Sequence, residues 1–578
     1  MLTINISRIR NLPIENKDDC LLDIPNSINR DKKLHISDFY NQDDIYKEAL
    51  NLYKEFIDQI VSQKNILSYN VSGLPIYWLS DTGSKHPIYH WGKDFFLLLT
   101  LLKYSSETIQ EEYRQLTLIL PNELLCSENS IRKLLVRYKY DISFQLLFLS
   151  PTETKSNVKC VLRSSLSVIK SILLYRNNKE YKKASSNNYY IINSLNNNLD
   201  YNGQYLELKN LYNLESKDLS IIPVLEWRHQ HSPALETPQE FIDKKPNLFE
   251  ISSTLFKILK VFYKIKRAKF NGIKIDGIDF TLDFLKEDLL ATLQNKSDLV
   301  FLHVWLGNFF KAQNAAFLYS DELYPYGKTI SNAIKHSQNH NAYSYGIQHG
   351  NFSEVHTVYM ITDKEIEAGL PLPNKFIVWG NYYREMFKQN NSLNNDYILS
   401  LGNPKYINSE KTVEHKEGSI TIKNILWCLT TLDCFIAEWN IIKNRVTLPN
   451  IKLTIRLHPG GHISIKDVFE VLKDTEYIIS SEKSLIDDFR MADLILTSAH
   501  STVFLDALIT KSKVVRLITN RWIGSNNIQS NYIFNVKNSE ELNHLFLKLE
   551  NVPNDKEYKD DFIEVNNNKW REFVNQND

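Results

Sequence analysis

Two segments of the 578-residue sequence bring cations and hydroxyls to positions that suit phosphate binding. In 451–461, I-K-L-T-I-R-L-H-P-G-G, the alternation of Leu453, Ile455 and Leu457 predicts a buried strand, and Pro459 ends it by removing a backbone donor. Arg456 and His458 are thus delivered at a strand's carboxyl end. In 494–508, L-I-L-T-S-A-H-S-T-V-F-L-D-A-L, a short strand leads into a polar turn over 497–502 and a helix from Val503, with Phe504, Leu505 and Leu508 on its apolar face. Ser498, Ser501 and Thr502 then sit at or just before a helix start. Such a start offers unpaired N–H groups and a positive dipole end, to which hydroxyls add donors. Arg456 or His458 would complete the cradle. The same hydroxyls are also what an ordinary helix cap uses, and the recurrence of strand-end signals in one βαβ series is what favours the phosphate reading.

A second group of polar residues falls at strand ends earlier in the chain. In 315–350 the pattern predicts strands over 315–319 and 342–347 around a helix over 327–336. Asp321 and Glu322 follow the first strand, and Gln348 and His349 the second. Parallel neighbours would place both sets on one sheet edge, facing one crevice. Upstream, L-P-I-Y-W-L over 74–79 reads as a strand feeding a loop that holds Asp81, Lys85 and His86.

The elements that must carry these groups form repeated strand–helix–strand units, the pattern of a doubly wound α/β sheet. The length suggests several domains at roughly 150 residues each. Lys plus Arg equals Asp plus Glu at 68 each, so there is no global field to attract nucleic acid. Five widely spaced cysteines without a C-x-x-C pair indicate neither a disulfide framework nor a zinc site, and read as reduced cytosolic thiols. Glu226, Arg228, His229 and His231 cluster after an apolar run but lack the spacing of a metal site, and read as a solvated or acceptor-binding loop. The start of the chain has no signal-peptide pattern, and no run reaches the roughly 18 apolar residues that would span a bilayer. The Asn-rich stretch 175–205 reads as a surface excursion, and 245–297 as helices with Lys-rich faces.

With these residues in view, the second half resembles the nucleotide-binding half of GT-B glycosyltransferases that use CMP-activated acidic sugars. In bacterial sialyl- and Kdo-transferases a His-Pro motif and a Ser/Thr pair hold the CMP portion of the donor. The matching residues here are His458, Pro459, Ser501 and Thr502, with Arg456 beside them. L-P-I-Y-W-L-S, S-D-E-L-Y-P-Y-G-K-T-I-S-N-A-I-K and Y-G-I-Q-H-G are similar to a family of bacterial retaining β-Kdo transferases for O-antigen or capsule. The likeness runs unevenly over 74–518.

The resemblance implies a GT-B fold, two Rossmann-like α/β domains facing an interdomain cleft. The expected division is 1–385 as an acceptor-side domain, 386–552 as the nucleotide-binding domain, and 553–578 as a tail packing back on the first. CMP-β-Kdo would be the donor, its phosphate at Ser501 and Thr502, with Arg456 or His458 neutralising charge as CMP leaves. Lys85, His349 and Lys328, with Gln348 and Ser498, are the expected further donors, the first three for the sugar's own carboxylate. Glu322, then Asp81, are the expected carboxylates to stabilise or attack the oxocarbenium-like centre. No Asp-x-Asp tripeptide occurs, so no cofactor or metal is expected. The acceptor would be a glycan, free or lipid-linked, lying near Trp78, Trp91 and Trp227. A cytoplasmic location is expected, with peripheral contact to the inner membrane or an assembly complex left open and no amphipathic basic helix standing out. Alternatives are a CDP-glycerol or CDP-ribitol phosphotransferase, a CMP-sialic acid transferase, and a non-catalytic nucleotide-binding scaffold.

Overall fold

The computed structural model describes residues 2–5, 20–23, 42–63, 65–85, 90–149, 157–174, 188–192, 211, 220–225, 240–241, 246–311, 316–320, 323–348, 350–353, 356–391, 393–406, 422–443, 451–458, 463–473, 475–481, 485–499, 501–510, 512–519, 532–549 and 567–576. They form three parallel sheets and two hairpins. β1 (Leu2–Asn5) and β2 (Cys20–Asp23) open the first sheet, and a hairpin of β3 (Asn70–Val71) with β4 (Leu74–Pro75) intervenes. β5 (Gln115–Pro121) and β6 (Ser143–Leu149) complete the sheet in the order β2-β1-β5-β6. Six of the seven β5 residues are buried, as a strand covered on both faces must be. This four-stranded sheet is an addition to the two-sheet plan expected from the sequence. The segment 74–79 is not one strand: after Leu74–Pro75 it tightens into a 3-10 turn, Ile76–Leu79. All four turn residues are buried, so their apolarity reflects enclosure rather than the alternation of a half-buried strand.

The second sheet contains β7 (Asn188–Ile192), β8 (Ser220–Leu225) and β9 (Glu240–Phe241). A hairpin of β10 (Ile273–Ile275) and β11 (Ile278–Phe280) separates them from β12 (Ala316–Tyr319), β13 (Tyr343–Ile347), β14 (Lys375–Val378) and β15 (Ile398–Ser400). Its order is β15-β14-β13-β12-β7-β8-β9, so the winding reverses between β7 and β12. The 175–205 stretch, expected as a surface excursion, supplies an interior strand of this sheet, between β12 and β8, because N-Y-Y-I-I inside it has the aromatic and β-branched content of a strand.

The third sheet is built from β16 (Asn424–Cys428), β17 (Lys452–Arg456), β18 (Ile478–Ile479), β19 (Leu494–Ser498), β20 (Val514–Leu517) and β21 (Ile533–Val536). The order β18-β17-β16-β19-β20-β21 reverses between β16 and β19. The expected α/β class with doubly wound parallel sheets is therefore present. Because β15 pairs with β14, the passage to the third sheet falls after Ser400, later than the expected division at 385/386.

Two contacts tie the halves together. Lys405 and Tyr406, just beyond β15, both donate to Asp506 Oδ1 at 2.6 Å on the Val503–Ile509 helix. In the terminal Asn567–Gln576 helix, Trp570 Nε1 donates to Gly402 O at 3.2 Å, and Phe573 meets the Tyr345 ring of β13 edge-on at 4.8 Å.

Candidate functional site

The register of the third sheet sets Cys428 of β16 opposite Arg456 of β17 and Thr497 of β19, so these three strands end level. Where the winding reverses, the chains leaving adjacent strands turn to opposite faces and open a crevice beyond the carboxyl ends. Two loops border it: Leu429, Thr430 and Thr431 lead from β16 into the Leu432–Ile442 helix, and Ala499, Ser501 and Thr502 lie between β19 and Val503–Ile509. His458 lies two residues past the end of β17 and is exposed. β16 separates β17 from β19, so their ends stand about 10 Å apart at ordinary strand spacing, room to seat a phosphate between them.

Beneath the crevice lies a buried acid that the sequence reading does not single out. Glu438, fully buried on the Leu432–Ile442 helix, accepts from Trp427 Nε1 at 3.0 Å and from the Ser498 hydroxyl. Ser498 Oγ also lies 2.8 Å from Thr430 Oγ1. One carboxyl thereby ties β16, β19 and the loop after β16 together. Burial pushes Glu438 up to about 7 against its ordinary 4.5, although its bonds to Ser498 and Trp427 pull the other way. A raised carboxyl binds more protons folded than unfolded, so its stabilising effect is complete below pH 4.5 and is lost as pH rises through about 7. At about 1.4 kcal/mol per pH unit this difference has a ceiling of about 3 kcal/mol. Glu438→Gln is therefore expected to gain up to that amount relative to the native chain between pH 5 and 8, read from urea melts at both pH values.

The hydroxyls at the β19 end have distinct surroundings. Ser498 is committed to the buried network, so it is not at the crevice surface. Ser501 is 8% exposed and its Oγ accepts from Val503 N at 3.3 Å, while Thr502, the residue before the helix, makes no side-chain capping bond. The turn is clamped from behind by Arg516, whose Nε donates to Ala499 O at 3.1 Å and whose guanidinium lies 4.8 Å from the Phe504 ring centre. Arg456 shares the edge but pairs with buried Asp488, which also accepts from Ser480 Oγ at 2.7 Å. Its charge is thus partly engaged within the sheet.

The second sheet presents a parallel case. β12 and β13 are adjacent and parallel, and Ser320, directly after β12, has a buried hydroxyl with no hydrogen-bond partner among the described residues. Gln348 brackets the backbone: its Nε2 donates to Gly350 O at 2.8 Å and its Oε1 accepts from Trp379 N at 3.0 Å. Lys85, expected to meet the sugar carboxylate, is instead buried, with Nζ 2.7 Å from both Glu365 carboxylate oxygens and donating to Met360 O. Lys328 donates to Gly83 O at 2.9 Å, and burial, with Lys85 nearby, pushes it down to about 7. Both lysines are drawn inward because the apolar packing around them leaves internal acceptors as their partners. Asp81 pairs with Lys296 at 2.9 Å. Trp78 and Trp91 are core residues, buried and so not an acceptor platform. Glu322, His349, Pro459 and Trp227 lie outside the described residues, as do Asp321, His86 and the 226–231 cluster.

The structure thus brings together Thr430, Ser501 and Thr502, with His458 one strand over and Glu438 behind. The sequence reading passes over Thr430 and Glu438, yet Glu438 carries a signal: an acid in the middle of L-D-C-F-I-A-E-W-N-I-I, set between Ala437 and Trp439. An acid there must find partners or change protonation.

No protein-family model matches the chain, and no curated protein matches it by sequence. Among solved structures it is similar to the S. aureus MnaA-UDP co-structure, at 12% identity and TM-score 0.40, over 67% of this chain and 95% of that one. It is similar also to UDP-GlcNAc 2-epimerase from Neisseria meningitidis bound to UDP-GlcNAc, at 10% identity and TM-score 0.37, over 67% and 98%. A further similarity is to the wall teichoic acid polymerase TagF, at 11% identity and TM-score 0.35, over 72% and 96%.

Proposed function

We propose that the chain is a glycosyltransferase of GT-B type that takes Kdo from CMP-β-Kdo and adds it to a growing surface glycan with retention of configuration. The observation that carries this reading is the pair of hydroxyl-bearing loops at the winding reversal of the third sheet, Thr430 on one side and Ser501 with Thr502 on the other. Such a reversal, with backbone N–H groups and hydroxyls at the strand ends, suits a nucleotide phosphate.

In this reading the phosphate of CMP lies between the two loops and His458 approaches from the neighbouring strand end. The bond from the anomeric carbon to the phosphate oxygen breaks with its electron pair going to CMP, whose growing negative charge the hydroxyls and His458 receive. A carboxylate, Glu322 or Asp81, attacks the cationic anomeric carbon from the opposite face. The acceptor hydroxyl then displaces that carboxylate, giving up its proton to it and forming the new glycosidic bond, so two inversions return the β configuration. The reading includes no metal, since the sequence has no Asp-x-Asp tripeptide.

The test is a thermal-shift screen of CMP-Kdo, CMP-sialic acid and CDP-glycerol, since a ligand that binds only the native state raises its melting point. CMP-Kdo is expected to give the largest rise, and a rise with CDP-glycerol alone would replace the reading by phosphoalditol transfer. An α-linked product by proton NMR would remove the retaining mechanism.

A further inference from the structure

Two neighbouring helices, Val158–Leu174 and Leu248–Lys266, pack together and against the helices that follow them. The second buries Ile251, Thr254, Ile258, Val261, Phe262 and Ile265, which accounts for its apolar face toward the core. Its outer face is nevertheless apolar too. Phe249, Phe256 and Tyr263 repeat every seven residues there and are 81%, 68% and 49% exposed. On the first helix Leu166 and Leu173 have the same spacing and are 53% and 54% exposed. Cations stand between them: Lys159, Arg163 and Lys170 share the stripe of Leu166 and Leu173, and Lys260 falls between Phe256 and Tyr263, all exposed. Lys264 and Arg267 extend the charge.

The first helix contains no acid, and the second contains only Glu250. That carboxylate is consumed: it closes the capping box with Asn247 and accepts from Asn308 Nδ2 at 2.8 Å. In a chain whose charges balance overall, two adjacent helices therefore show cations and large apolar side chains and almost no negative charge. A docking helix from another protein would want two apolar residues per heptad, but the positions between the aromatics are Ser253 and Lys260. One large apolar group per two turns, interleaved with cations, instead suits a surface whose phosphates meet the lysines while rings and leucines enter the boundary below.

We infer that this face docks the protein on an anionic phospholipid bilayer. The inference is independent of the donor assignment, because it concerns a different part of the molecule and is read without nucleotide. The full chain is mixed with vesicles of phosphatidylglycerol and phosphatidylcholine, or of phosphatidylcholine alone, and sedimented. The native chain is expected to co-sediment with the anionic vesicles and to be released as salt shortens the screening length from about 10 Å at 0.1 M toward about 3 Å at 1 M. At about fivefold per charge, Arg163→Glu/Lys170→Glu/Lys260→Glu is expected to lower binding on the order of a hundredfold or more. Phe249→Ser/Phe256→Ser/Tyr263→Ser is expected to lower it with the charges intact. All six positions are exposed, and unchanged melting curves verify that both variants fold. The inference is overturned if the native chain stays in the supernatant, if it binds both vesicle types alike, or if neither variant weakens binding. It is equally overturned if the aromatic variant instead splits a dimer seen by light scattering, which would give the face to a second copy.

Discussion

Glu365→Ala is expected to destabilise the chain by about 3–5 kcal/mol, the cost of leaving one partner of a buried ion pair uncompensated. Lys85 and Glu365 have side chains 1% and 0% exposed, and Nζ sits 2.7 Å from each carboxylate oxygen. Without the carboxylate the ammonium keeps the Met360 carbonyl as an acceptor but has no counter-charge from Glu365. The same carboxylate also accepts from Thr362 N at 3.0 Å in the capping box of the Asp363–Glu367 helix, so that half of the box is lost with it. A lower urea midpoint with an unchanged slope is the expected result. Lys85→Met/Glu365→Leu should recover much of the loss, because apolar groups of similar volume remove both desolvated charges together. A midpoint for Glu365→Ala within about 0.5 kcal/mol of native, the ordinary range of surface changes, would show that the pair does not hold this region.

His458→Ala is expected to weaken donor binding about tenfold to a hundredfold while leaving stability within about 0.5 kcal/mol. The magnitude is that of one hydrogen bond to a charged phosphate, about 1.5–3 kcal/mol, and stability is spared because the imidazole is exposed beyond the end of β17. Arg456 provides the contrast. Its guanidinium pairs with buried Asp488, so Arg456→Ala strands that carboxylate and is expected to lower the urea midpoint. Calorimetric titration with CMP-Kdo beside a urea melt for each variant separates the two effects. A His458→Ala protein that binds as tightly as native would take His458 out of the site, and one that unfolds would make it a structural residue.

The parts of the fold legible in the sequence are those where local pattern and sheet position agree. Leu453 and Ile455 alternate, and the strand there is Lys452–Arg456; L-I-L-T-S is a strand, and the helix after it begins at Val503 as its apolar spacing implies. Where enclosure overrides period, the pattern misleads. The 76–79 turn is buried on every side and so carries no alternation, and N-Y-Y-I-I at 188–192 is hidden within polar neighbours although it forms an interior strand of a sheet. The site divides in the same way. Residue type could mark Ser501, Thr502 and His458 as strand-end groups, because that depends on local order along the chain. It could not show that Lys85 reaches Glu365 across 280 positions, or that Glu438 reaches Ser498 across 60, since those partners are set by tertiary packing.

A cytidine nucleotide is expected at the winding reversal of the third sheet. The direct measurement is the position of CMP in a crystal of the chain soaked with it. The phosphate is predicted between the loop bearing Thr430 and the turn bearing Ser501 and Thr502, with the His458 imidazole nearby. A nucleotide bound elsewhere, such as in the groove of about 570 Å³ lined by Phe534, Glu541 and His544 beside β21, would contradict the account.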